Sequence, residues 1–375
     1  MRRVVVAPNA FKGSLTASDA ATAMGAAVAL VHPEAEILAR PLADGGDGSV
    51  EALLAAGYRR LEVTVRLPDG RLATAPIAMR DNEAVVELAN TCGLVLTPED
   101  QRDPMTASTL GLADAVRGAL DAGATRIVLC VGGSASTDGG VGLLCGLGAR
   151  VLDVDGNAVR PGGQWLASIC SVDLTGLDPR LRHVDLLVAT DVTSPLFGPD
   201  GAAFVFAPQK GASATEVDLL DEGLRSWAQV VARHTGRDVS TTPGAGAAGG
   251  TAFAAAALLD AAILPGAPFI AEAIGLDAAL EGADLLITGE GSLDAQSLLG
   301  KGAVDAALRA RALHIPAVLV CGRVDVPVAE LSALGIVASG ALVDIAPPAE
   351  AIENAAAVLA RRTVAVLEEL DQQTD

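Results

Sequence analysis

The chain has 375 residues; 51% are hydrophobic, only nine are aromatic (two Trp, one Tyr, six Phe), and 46 acidic against 26 basic side chains leave a net charge of −20. That length suits roughly two domains, and that hydrophobic content excludes a disordered chain. The negative charge repels nucleic acid and anionic membrane surfaces, so neither is an expected partner, and the scarcity of aromatics argues against base-stacking surfaces.

In chain order, short apolar runs predict strands over 3–7, 36–40, 61–66, 84–88, 126–131, 184–189, 202–206, 284–288 and 317–321. Several are continuous Val/Ile/Leu runs, the mark of parallel strands covered on both faces. Helical patterns fall over 16–30, 49–56, 109–119, 214–234, 251–263, 295–312 and 350–370, the first opening on Thr16-Ala-Ser-Asp19 as a capping box. The class is therefore α/β. The turn Leu67-Pro-Asp-Gly70, the breaks at Pro265 and Pro268, and the similar style of the two chain ends suggest a discontinuous organisation. Residues 1–69 and 271–375 are expected to form one doubly wound domain, with residues 70–270 inserted as a second α/β domain.

Five cysteines without C-x-x-C spacing point to a reducing cytoplasm, and four scattered histidines give no zinc pattern. The apolar run at 4–7 is too short for a signal peptide, and the uncharged stretch 239–259 reads as loop plus buried helix, not as a membrane span.

Lysine usage is the most informative count. The chain has three, Lys12, Lys210 and Lys301, and a glycine follows each. A compact ammonium beside an approachable backbone suits phosphate oxygens, although a glycine-capped helix end gives the same pair. Lys12 and Ser14 follow the first strand, at the carboxyl end where open α/β sheets bind ligands. Other candidate strand ends carry acids and small residues: Asp44-Gly45-Gly46-Asp47, Gly132-Gly-Ser134-Ala-Ser136-Thr-Asp138, Thr190-Asp191, and Thr288-Gly289-Glu290-Gly-Ser-Leu-Asp294. Glycine and hydroxyl loops can hold anions, paired carboxylates can hold Mg²⁺ or substrate hydroxyls, and a strand-end Asp can act as a general base. Each could also be a plain turn. Gly244-Ala-Gly246-Ala-Ala-Gly249 matches a dinucleotide fingerprint in letters, but Pro243 and a poor preceding strand remove its context. No Walker A and no nucleophile elbow are present. The residues alone point to a small-molecule kinase or another phosphate-ligand enzyme.

Six segments carry a resemblance to the type I glycerate kinases: Ala7-Pro-Asn-Ala-Phe-Lys12-Gly-Ser-Leu-Thr16, Ala43-Asp-Gly-Gly-Asp-Gly-Ser49, Gly132-Gly-Ser-Ala-Ser-Thr-Asp-Gly-Gly140, Ala207-Pro-Gln-Lys-Gly211, Pro243-Gly-Ala-Gly-Ala-Ala-Gly-Gly250 and Asp284-Leu-Leu-Ile-Thr-Gly-Glu-Gly291. The resemblance implies two α/β domains, one of them flavodoxin-like (Rossmann-like) and built from both chain ends, with a site in the cleft between them. It also implies ATP-dependent, Mg²⁺-assisted phosphorylation of D-glycerate, giving 2-phosphoglycerate in preference to the 3-isomer. A kinase for a related hydroxy acid and a non-catalytic hydroxy-acid binder are the alternatives, and a monomer or homodimer is expected. The chain departs from the family's usual residues at Asn9, Ala10, Thr137, Ser194 and Ser292, the last replacing an arginine. In this scheme Lys12 and Lys301 neutralise charge and Asp191 accepts the hydroxyl proton. Glu290 and Asp294 hold Mg²⁺. Ser14, Asp44, Gly45, Gly46, Ser134, Ser136, Asp138, Lys210, Gly246, Gly289 and Glu290 bind substrate or phosphate.

Overall fold

The computed structural model describes residues 1–294 and 302–374. The elements that organise it begin with β1 (Arg3–Val6), α1 (Ala17–Val31), β2 (Glu36–Ala39), α2 (Ser49–Ala55), β3 (Arg59–Arg66), β4 (Leu72–Arg80), β5 (Glu83–Glu87), α3 (Leu110–Asp121), β6 (Arg126–Cys130) and α4 (Val141–Gly146). They continue with β7 (Asp185–Ala189), α5 (Ala202–Phe206), α6 (Ala214–Thr235), α7 (Ala247–Leu258), β8 (Ala262–Leu264), β9 (Leu285–Thr288), α8 (Ala303–Ala312), β10 (Ala317–Cys321), β11 (Ile336–Ala341) and α9 (Ala355–Thr374). The chain divides into two compact units: Met1–Asp44, Glu51–Gly57 and the chain from Ala267 onward form one, Gly45–Val50 and Tyr58–Gly266 the other. Among the described residues no helix is long and apolar enough to cross a membrane.

The first unit is built on a parallel sheet in the order β11-β10-β9-β1-β2. The winding reverses between β1 and β9, which puts the loops after these two strands at the position where doubly wound sheets bind ligands. Val4, Val6, Ile287 and Val318 bury one sheet face under Met24 and Val28 of α1 and Leu359 and Val366 of α9. The Thr16 hydroxyl caps α1, accepting from the Asp19 N–H at 3.1 Å and donating to the Asp19 carboxylate at 2.8 Å.

The second unit carries a six-stranded sheet, β8-β7-β6-β5-β4-β3, parallel from β5 to β8 and antiparallel from β3 to β5. The Leu67–Gly70 turn closes the β3–β4 hairpin within it. Leu112 and Val116 of α3 pack on Val65, Ile77, Val86 and Ile127, and Leu143 extends the same core. A second core holds Leu220, Leu224 and Trp227 of α6 with Phe253 of α7. Fully burying such side chains is worth about 1.5–3 kcal/mol each, so these helices set where the sheet's carboxyl-end loops stand.

Three expectations change. Residues 202–206 form helix α5 rather than a strand. A five-residue apolar run does not distinguish the two, and here Ala202 and Ala203 turn inward while Phe204 and Val205 stay about 42% and 45% exposed. The helix expected over 251–263 ends at Leu258, and strand β8 follows, because Asp260 turns the chain with φ 54°. The helix expected over 350–370 is two, Pro348–Glu353 and α9, broken at Asn354. Of the helix expected over 295–312, residues 295–301 lie outside the described residues, and helix α8 runs over Ala303–Ala312. In the two main sheets, β4 and β11 had no prediction either. β4 is masked in sequence by its alanines and Pro76, which is tolerated because pairing with β5 covers only Ala78–Arg80. β11 contains Ser339 and Gly340.

Candidate active site

In the second unit the chain leaves β5, β6, β7 and β8 at the same edge of the sheet, since these strands are parallel. Glu87 ends β5 as a buried carboxylate. It accepts from the Gly48 N–H at 3.0 Å and the Val50 N–H at 2.8 Å, and so holds the Gly45–Val50 segment over the sheet edge. The Gly45 carbonyl accepts from the Gly132 N–H at 3.2 Å. A Cβ on Gly132 would lie 2.4 Å from the Gly46 Cα, and one on Gly45 would lie 2.9 Å from the Ala189 carbonyl at the end of β7. Both glycines are therefore required for two loops and a strand end to meet backbone to backbone.

Asp191 stands at that strand end, with one carboxylate oxygen accepting from the Gly266 N–H at 2.9 Å. The structure thus brings together Gly45, Gly46, Gly132 and Asp191, residues far apart in sequence. Gly246 donates its N–H to the Ser194 carbonyl at 3.0 Å, and Gly139 donates to the Gly249 carbonyl at 2.9 Å. The 244–250 run is therefore a glycine wedge between the 132–140 and 190–196 loops. No strand precedes it, so the dinucleotide context is absent.

The 132–140 loop is supported from inside. Lys210 is buried, and its ammonium donates to the Ser134 hydroxyl at 2.8 Å and to the Ser136 carbonyl at 2.6 Å. Asp138 is fully buried and accepts from the N–H groups of Thr109, Gly140 and Gly142 and from the Thr109 hydroxyl, at 2.9–3.2 Å. Trp227 adds an Nε1–H bond to the Gly139 carbonyl at 3.0 Å. The Ser136 and Thr137 hydroxyls are buried, with no hydrogen-bond partner among the described residues. Lys210, Asp138 and Ser136 are thus interior to the loop, and the glycine backbone at 132–133 is its outer part.

Burial pushes the Lys210 ammonium down to about 8, with Asp138 partly opposing that shift. Between pH 8 and its ordinary pKa of 10.5 the unfolded chain binds a proton that the folded chain does not, so this group makes stability rise with pH across that window. The difference in unfolding free energy between wild type and Lys210→Met should widen in favour of wild type by about 3 kcal/mol from pH 8 to 10.5. Urea titrations at stepped pH read it directly, and a pH-independent difference contradicts it. The neutral amine still donates two hydrogen bonds, so the loop remains anchored.

In the first unit, the Asn9 N–H donates to the Gly289 carbonyl at 2.8 Å and the Thr288 hydroxyl to the Ala7 carbonyl at 2.7 Å, joining the loops after β1 and β9. Lys12 is exposed, and its backbone N lies beside Gly291, 3.2 Å from where a Cβ would be. The Asn9 amide nitrogen and a Glu290 carboxylate oxygen both stand beside Gly302, 2.8 and 3.6 Å from where a Cβ would be. Ser14 is exposed, but its hydroxyl donates to its own turn at Phe11, at 3.0 Å. Asp44 closes a segment tied back by the Leu42 N–H to the Pro8 carbonyl at 2.8 Å. Asp294 is exposed after a two-residue strand, and Lys301 lies outside the described residues. No three acid, histidine or cysteine side chains converge among the described residues. Mg²⁺ bound through one or two carboxylates and substrate phosphate needs no such triad, and Glu290 and Asp294 have the oxygen donors such a site uses.

Glu87 and Thr109 were not singled out from sequence. The available signal was an acid closing the apolar run Ala84-Val-Val-Glu87-Leu. Buried, such a group needs donors.

The sequence model of the glycerate kinase family matches residues 4–371. The chain is 39% identical over 363 residues to a glycerate kinase of Bacillus subtilis strain 168, covering 96% of this chain and 95% of that protein. It is 39% identical over 323 residues to the glycerate 2-kinase of Escherichia coli strain K12, covering 85% of each. The crystal structure of a protein assigned as glycerate kinase 2 from Salmonella typhimurium LT2 superposes with a TM-score of 0.84 at 36% identity, covering 100% of this chain and 99% of that one.

Proposed function

The chain belongs to the glycerate kinase family and is an enzyme, and on that premise we propose that it transfers the γ-phosphoryl group of ATP to the 2-hydroxyl of D-glycerate with Mg²⁺ assistance. The observation that carries this reading is the meeting of Gly45, Gly132 and Asp191 at one sheet edge, where approachable backbone stands beside a carboxylate. The name of the Escherichia coli relative supports the 2-position.

In this scheme the substrate oxygen bonds to the γ-phosphorus, the bond to the β-phosphate oxygen breaks, and the hydroxyl proton passes to Asp191. The Gly266 N–H fixes the Asp191 carboxylate in orientation. Glycine loops held by Glu87, Lys210 and Asp138 present backbone to the phosphoryl oxygens, which accounts for binding polyanions on a chain of net charge −20. Lys12, and Lys301 beyond the described residues, neutralise phosphate and carboxylate charge. Glu290 and Asp294 would hold Mg²⁺, which would supply charge neutralisation on the phosphates.

A phosphorus NMR time course with Mg-ATP and D-glycerate tests the reading. A new phosphomonoester resonance coupled to one proton is expected. Coupling to two protons assigns the 3-position instead, and no ATP consumption sinks the kinase reading.

A further inference from the structure

The second unit contains a cavity of about 260 Å³ whose lining includes Leu96, Thr97, Pro98, Arg102, Thr106 and Ala135. It is bounded on one side by the 132–140 loop, through Ala135. At just under the ~300–1,000 Å³ of small-molecule sites, it is roomier than a three-carbon acid requires. Its walls mix apolar carbon with hydroxyl, amide and charged groups, as a site for a heteroaromatic ring and sugar would.

Arg102 is the informative residue. Arg66, Arg126, Arg180 and Arg225 of the same unit are paired with carboxylates. The Arg102 Nε is buried with no hydrogen-bond partner among the described residues. The acids in the same cavity are engaged by their own neighbours. Asp103 accepts from the Met105 N–H and the Thr106 hydroxyl at 2.9 and 2.6 Å, and Asp69 pairs with Arg71. A guanidinium lacking a protein partner is suited to phosphate oxygens. Its position is fixed from the same side that anchors the loop. Gly211, with φ 102°, packs against the Arg102 carbonyl so closely that a Cβ would lie 2.7 Å from it, and the adjacent Lys210 holds Ser134 and Ser136. The Lys210-Gly211 pair therefore couples the cavity wall to the loop.

We propose that this cavity seats the nucleoside end of ATP and that Arg102 meets its phosphates, an inference that rests on the kinase reading above. Calorimetric titration of the whole enzyme with ADP, and separately with D-glycerate, tests it. Arg102→Ala should weaken ADP about ten- to hundredfold, the loss of charge-assisted hydrogen bonds, and leave D-glycerate affinity within about twofold. Thr97→Trp, which fills the cavity without changing its charge, should also weaken ADP. In steady state both should raise the KM for ATP more than that for D-glycerate. If wild type binds ADP and phosphorylates D-glycerate but neither variant changes ADP affinity, the cavity is not the nucleotide's and the kinase reading stands. If wild type neither binds ADP nor consumes ATP, the kinase reading fails and the inference with it.

Discussion

Replacing Asp191 by asparagine should lower turnover by about 10²-fold or more while leaving the melting temperature and D-glycerate affinity close to wild type. The substitution is isosteric. The amide oxygen can still accept from the Gly266 N–H that the carboxylate accepts from at 2.9 Å, so the side chain keeps its orientation at the end of β7. What it loses is basicity. A general base typically contributes about 10²–10⁴-fold, and a loose phosphoryl-transfer transition state, in which the nucleophile's proton leaves late, favours the lower end. Two further readouts separate this role from a structural one. The acidic limb of the pH–rate profile should be lost in the variant, and the KM for D-glycerate should change less than kcat. Turnover within about fivefold of wild type would remove Asp191 from proton transfer, since that is far below the range for a positioned base.

The position of Asp191 just past a strand end was legible in the sequence for a simple physical reason. Buried parallel strands read as unbroken apolar runs, and the polar and glycine residues within a few positions after such a run belong to the loops at the sheet's carboxyl edge. The same logic singles out Lys12, Asp44, Gly132 and Glu290 as residues of loops that follow strands. It identifies the position of a side chain along a strand, but not the direction in which a loop turns it. Lys210 and Asp138 sit in sequence like ligand-binding residues, yet both face inward and hold the 132–140 loop in place. Only tertiary contacts distinguish the two cases: the partners of Lys210 are 76 and 74 residues away, and Thr109 is 29 residues from Asp138.

Residues 202–206 illustrate a second limit. Their apolar run has a strand's length and composition, and it becomes a helix because Ala202 and Ala203 fit against α6 and α7. That choice is made by the partner's shape, which no local window contains. Glu87 illustrates a third. An acid at the end of β5 would ordinarily be read as solvated, and its burial follows only once the Gly48 and Val50 N–H groups, nearly forty residues earlier, are folded onto it. Arg102 was likewise unremarkable among 23 arginines until folding buried its Nε with no hydrogen-bond partner among the described residues.

Asp138→Asn should cost about 3 kcal/mol of stability, although it changes a single atom type. One carboxylate oxygen accepts from the Gly140 N–H, the other from the N–H groups of Thr109 and Gly142, and the Thr109 hydroxyl approaches both. Whichever way the amide is turned, its NH₂ faces at least one backbone N–H that cannot rotate away, and a buried donor is left unsatisfied on each side. Charge is not the deciding quantity. Burial pushes the Asp138 carboxyl up, and a protonated acid could still direct its single hydrogen to the Thr109 hydroxyl while keeping an acceptor for each set of N–H groups. The site requires two acceptor atoms, and asparagine supplies one. Urea unfolding should show the loss in the midpoint. Thr109→Ser, which retains the hydroxyl that both meets Asp138 and accepts from the Leu143 N–H at 2.8 Å, should cost only about 1 kcal/mol or less, the value of a buried methyl. Turnover at a temperature where Asp138→Asn remains folded should also fall, because this carboxylate fixes the far end of the 132–140 loop against Thr109. An Asp138→Asn enzyme as stable as the Thr109→Ser control would mean that the loop is held by Lys210 and Trp227 alone.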